Sequence, residues 1–105
     1  MLLTVKYKLR YELLARMIRH GVTPDSLDQV LVMRMRDLLR QNKIQHKEIK
    51  VNVTRNHGIL TKLFEVAIHI LGAQPENLED FTVKIVNSVE AFMPDIEDIK
   101  IIILH

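Results

Sequence analysis

Five histidines, His20, His46, His57, His69 and His105, are the residues of this 105-residue chain best suited to metal or acid–base chemistry, and their spacing supports neither. No two stand four apart, the separation that sets two imidazoles on one helix face. Glu65 and His69 do have that separation, with Lys62 on the same stripe. The simpler account of them is a solvated ion pair on a helix edge, worth about 0.2–0.5 kcal/mol. Cysteine is absent, which removes thiolate ligands, a cysteine nucleophile and disulfides. The glycines, Gly21, Gly58 and Gly72, fall at predicted helix boundaries, so no glycine-rich loop is present to cradle a phosphate. Ser26 and Ser88 lie within predicted helices, away from any strand-to-helix elbow that would expose a nucleophile. The expectation is a non-catalytic protein with no metal site, no cofactor and no small-molecule substrate.

The basic residues carry more information. Met1–Lys62 holds six Lys and seven Arg against five acids, a charge of +8. Leu63–His105 holds two Lys against eight acids, or −6, and the sum is the +2 of the whole chain. Such a split points to an acidic partner for the first part, or to pairing between halves or between chains. Arg36 and Arg40 stand four apart on a predicted helix, with Arg34 nearby. Lys43 and Lys47 follow in "QNKIQHK", and Arg55 in "TRNH". These six, Arg34, Arg36, Arg40, Lys43, Lys47 and Arg55, are the candidates for contacting nucleic-acid phosphates or an acidic protein surface. Lys6, Lys8 and Arg10 would join them from one side of a first strand. Aromatic content is only 5%, so a platform for stacking bases is not expected. A helix-turn-helix over "IQHKEIKVNVTRNHGILTKLFEV" conflicts with the alternation from Ile49 to Thr54, which favours a strand.

The elements that must position these residues can be read from punctuation and period. "GVTPDSLDQV" at Gly21–Val30 and "GAQPENLEDF" at Gly72–Phe81 share a Gly, then a Pro three residues on, then acids. Gly tolerates the left-handed conformation past an element's end, Pro suits a first helical turn, and acids complement the helix dipole there. Thr23 has the chemistry of a cap in the first copy; in the second the helix is expected to start nearer Asn77. With one residue of slippage, "EIKV" at Glu48–Val51 aligns with "DIKI" at Asp98–Ile101, both strand-like. Leu2–Tyr7 alternates as a strand and is expected to lead into a helix ending near His20. Apolar residues from Ile59 to Leu71 wrap most of a helical circumference, which predicts a central helix. Ile99–Leu104 is apolar nearly throughout, as a strand covered on both faces would be.

The resulting expectation is an α+β chain of order β-α-α-β-α-α-β. An internal duplication of about 51 residues would give a small three-stranded, mostly antiparallel sheet covered by four helices. Residues 1–105 should form a single domain, with a basic repeat over about 1–46 and a net acidic repeat over about 47–105. Spare apolar positions on the second helix, Val30 and Met33, predict a homodimer. "MLLTVKYKLRYELL" places lysines where a signal peptide needs an apolar run, and no stretch is long enough to span a membrane, so the expected location is the cytoplasm.

Overall fold

A computed structural model describes residues 1–10, 21, 24–55, 63–92 and 96–104. Among them are four strands and two helices: β1 (Leu2–Arg10), α1 (Pro24–Gln41), β2 (Glu48–Arg55), β3 (Leu63–Leu71), α2 (Leu78–Phe92) and β4 (Glu97–Leu104). One antiparallel sheet has the order β2-β3-β1-β4. β1 and β2 therefore run parallel with β3 between them, and β3 and β4 run parallel with β1 between them. This β-α-β-β-α-β order is that of the ferredoxin-like, split βαβ arrangement.

The chain is α+β as expected, but the expected three strands and four helices are corrected: the described residues form four strands and two helices. The difference lies mainly at Ile59–Leu71, where residues 63–71 form β3 rather than a central helix. Val66, Ile68 and Ile70 point into the core while Ala67 and Leu71 lie on the other face, so both faces carry apolar residues. An inner strand of this kind loses the clean alternation that marks a half-buried one. The expected helix up to His20 falls outside the described residues beyond Arg10, and β1 runs three residues past its predicted end at Tyr7. No constant 51-residue offset relates the two βαβ halves. Corresponding starts are separated by 61 residues for Leu2 and Leu63, 54 for Pro24 and Leu78, and 49 for Glu48 and Glu97.

Alternation along the strands builds the core. Leu3, Val5, Tyr7 and Leu9 of β1 and Val66, Ile68 and Ile70 of β3 are buried beneath the helices. Register supports this division: Leu3 opposes Ile70, Val5 opposes Ile68, and Tyr7 opposes Val66. α1 contributes Leu27, Leu31, Met35 and Leu39, and α2 contributes Phe81, Ile85 and Val89, each set at helical spacing. Pro24 opens α1, where its missing N–H leaves no bond unmade. The Oδ1 of Asn77 accepts the Asp80 N–H at 3.0 Å and caps α2, so that helix starts where the sequence suggested.

Gly21 (φ 89°) and Gly72 (φ 69°) are both left-handed, but Gly72 ends a strand and not a helix. An added Cβ at Gly72 would lie 2.7 Å from Lys47 Cγ, whereas at Gly21 it would meet none of the described residues within 4 Å. Both Gly→Ala changes should cost roughly 1 kcal/mol from the backbone alone. Urea unfolding should show the larger loss for Gly72→Ala, because the Lys47 stem must also move. Equal losses would show that the closeness of that stem is immaterial.

Tyr7 is the largest fully buried side chain, and among the described residues its hydroxyl has no hydrogen-bond partner. Burial pushes its ionisation well above the ordinary phenol range. Only the unfolded chain then ionises readily, so the stability contributed is complete below an unfolded value of about 10 and declines as pH rises beyond it. Tyr7→Phe should remove that component of alkaline destabilisation and raise stability at neutral pH by about 1 kcal/mol, through loss of an unsatisfied buried hydroxyl. Denaturant midpoints for both proteins at pH 7 and above pH 10 test both expectations.

Candidate functional site

The two helices cover one face of the sheet, and among the described residues nothing covers the other, here called the open face. On β1 the residues turned to the open face are Thr4, Lys6 and Lys8, the alternates of the buried set. Cross-strand pairing extends each into a row. Asn52, Ala67, Lys6 and Lys100 form one row across β2, β3, β1 and β4. Lys50, His69, Thr4 and Ile102 form the row on one side of it. Thr54, Glu65, Lys8 and Glu97 form the row on the other.

Ala67 is the short residue at the middle of these rows, and a depression of about 430 Å³ opens above it. Lys6, Lys8, Lys100, His69, Asn52 and Asp98 are among the residues around it. β4 bulges here: between the Lys6–Lys100 and Lys8–Glu97 pairs it sets two residues against the single Tyr7. Asp98 occupies the bulge with φ 53°, a left-handed conformation that Asp accepts better than most residues. Its Oδ2 approaches Lys8 Nζ at 3.1 Å. Both groups are more than a third exposed, so solvent screens the pair and its contribution is at most about 1 kcal/mol.

Among the described residues Lys6 and Lys100 have no such partner. They stand directly opposite each other, and among the described residues neither has a carboxylate within 4.0 Å. Like charges at that position oppose folding. Nδ1 of His69 lies 2.9 Å from the hydroxyl of the buried Thr4, which fixes the ring against the sheet beside the depression. Glu65 and His69 share this face, but on a strand four residues separate them by about 13 Å. They are therefore not the contiguous pair that a helix would have made.

The six cations singled out from sequence do not form one surface. Arg36 and Arg40 project from the outer side of α1 together with Met33, which is 62% exposed. Arg34 sits on the flank of α1 toward α2, at a small cleft that Tyr7 and Ser88 also line. Lys43 follows α1 in a left-handed conformation, at a pocket it shares with Glu76, Asp80 and Lys84. Lys47 lays its stem over Gly72 and donates its backbone N–H to the Leu71 carbonyl at 2.8 Å. Arg55 ends β2, and its side chain lies outside the described residues. Sequence reasoning brings Lys6 and Lys8 to one side of β1 but misses Lys100, and it weighs His69 only as a helix neighbour of Glu65. The period of "DIKI" places Lys100 on a strand face, and only the strand order makes β4 the neighbour of β1.

Among the described residues no three His, Asp or Glu side chains are grouped to hold a metal ion, and no helix is long and apolar enough to cross a membrane. Comparison with known proteins finds no matching family model, no similar curated protein and no similar solved structure.

The Lys6–Lys100 opposition predicts that Lys100→Glu stabilises the fold at low salt by about 0.2–1 kcal/mol, since it replaces a like pair by an opposite one. Thermal melts at low and high salt should show the gain shrinking as ions screen it. A loss of stability at low salt would mean that the two ammonium groups do not oppose one another.

Proposed function

We propose that this protein is a small non-catalytic binding module whose open sheet face docks onto the phosphates of a nucleic acid. The observation that carries the reading is the Lys6–Lys100 pair: two adjacent ammonium groups at a depression, uncompensated by any described carboxylate, with His69 beside them. An arrangement that opposes folding and has no evident internal compensation is characteristic of a binding surface. A polyanion supplies that compensation through neutralisation and counterion release. Among the described residues the open face offers Thr4, Lys6, Ala67 and His69 at its centre and no Phe, Tyr or Trp, so phosphate binding rather than base stacking is the chemistry available. Binding is accordingly insensitive to sequence. Arg36 and Arg40 lie on the far side of the helices and cannot touch the same short strand; they form a separate cationic surface. A cysteine-free chain suits the reducing cytoplasm.

A protein partner is the second reading, favoured by the acids interspersed on the same face, Glu65 and Asp98, which repel a polyanion but suit a mixed-charge surface.

Titration of a labelled single-stranded oligonucleotide over a range of salt concentrations tests the proposal. The log–log slope should fall by about 0.7 for each phosphate that is no longer neutralised, so Lys6→Ala with Lys100→Ala should flatten it by roughly 1.4. Arg36→Ala with Arg40→Ala should leave the slope unchanged. The reverse pattern would move the interface to α1, and no binding at low salt would leave the protein-partner reading in its place.

A further inference from the structure

The two edges of the sheet are built differently. β2 alternates as an edge strand should, with Ile49, Val51 and Val53 toward the helices and Glu48, Lys50, Asn52 and Thr54 exposed. Charge on that edge guards it against pairing with another strand. β4 keeps polar residues only as far as Lys100. From Ile101 to Leu104 it is apolar on both faces, and Ile102 and Leu104 are 42% and 59% exposed. That composition belongs to a strand with neighbours on both sides, yet among the described residues β4 pairs only with β1.

We propose that β4 pairs antiparallel with β4 of a second copy of this chain, on a two-fold axis at Ile102, joining two four-stranded sheets into one. The charges along β4 select the register. Centring on Lys100 would set two ammonium groups face to face, which is unfavourable. Centring on Ile99 or Ile101 would draw the bulge at Asp98 into the new ladder, where a backbone with φ 53° breaks the pairing. Centring on Ile102 sets Ile102 against its own copy and Ile101 against the partner's Ile103. It also lays the aliphatic stem of Lys100 over the partner's Leu104, leaving the ammonium in solvent. No charge then opposes a like charge, and the exposed Ile102 meets its own copy.

The asymmetry of the edges favours a second copy as occupant. A two-fold pairing uses the apolar β4 edge twice and closes, while the charged β2 edge blocks head-to-tail growth into a filament. The interface stands independently of what binds the depression, although it brings the Lys100 side chains of both copies beside one seam of one continuous face.

The chain has no cysteine, so an engineered thiol is a clean probe. Ile102→Cys should form an intermolecular disulfide under mild oxidation, because residues directly opposite on antiparallel strands bring their Cβ atoms within bridging range. Thr54→Cys on the β2 edge should not. Wild-type protein should sediment as a dimer, and Ile102→Lys should halve the sedimenting mass while keeping the far-ultraviolet circular dichroism of the folded chain. The proposal is overturned if the wild type sediments as a monomer at about 100 µM, a hundredfold above a micromolar dissociation constant. It is equally overturned if the dimer survives Ile102→Lys, or if Ile102→Cys crosslinks no faster than Thr54→Cys.

Discussion

The structure depends on the two-residue period of β1. Paired on both sides, β1 holds β3 and β4 in the sheet, and its alternation decides what each face of that sheet becomes. Leu3, Val5, Tyr7 and Leu9 anchor the core, each at most 2% exposed, while Thr4, Lys6 and Lys8 set the centre of the other face. A slip of one residue would bury two lysines and expose four large apolar or aromatic side chains, a penalty that fixes the register. Core and candidate site are thus one constraint read from opposite sides.

This arrangement separates the positive charge of the first half of the chain into two populations. Lys6 and Lys8 emerge on the open face and meet Lys100 from β4, while Arg36 and Arg40 emerge from α1 on the far side. The net charge of each half therefore says little about where a ligand would sit. Neighbourhood matters more: Lys8 is answered by Asp98, Lys84 by Asp80 at 3.0 Å, and Lys6 and Lys100 by no described carboxylate. A helix-side arginine in water costs little to maintain, whereas two lysines facing each other across a ladder oppose folding. The sheet face is for this reason the more informative of the two cationic surfaces.

Much of this is legible in the sequence where a segment buries one side only. β1, β2 and both helices alternate or repeat with the period of their structure, and Asn77 announces the start of α2 by its capping chemistry. β3 is not legible, because Ala67 and Leu71 on its outer face add to Val66, Ile68 and Ile70 and complete an apolar stripe that a helix would also show. β4 gives a mixed lesson: its period marks a strand, but its uniform apolarity speaks for burial while the fold places it at an edge. The candidate site is half visible. Lys6 and Lys8 follow from β1 alone, but Lys100 arrives from more than ninety residues along the chain, and no local pattern carries strand order.

The bulge at Asp98 has a consequence for how β4 can change over evolutionary time. It stores one surplus residue between the Lys8–Glu97 and Lys6–Lys100 pairs, so the strand enters the sheet in one phase and continues in the other. Excising that residue would straighten the strand while Glu97 stays opposite Lys8 and Ile99, Ile101 and Ile103 stay undisturbed. A second insertion at the same place would invert the inward set and drive Lys100 toward the helices. The kink thus works as a length buffer with a capacity of one: the segment before it can drift in sequence and size, while the isoleucines after it stay locked in step with β1.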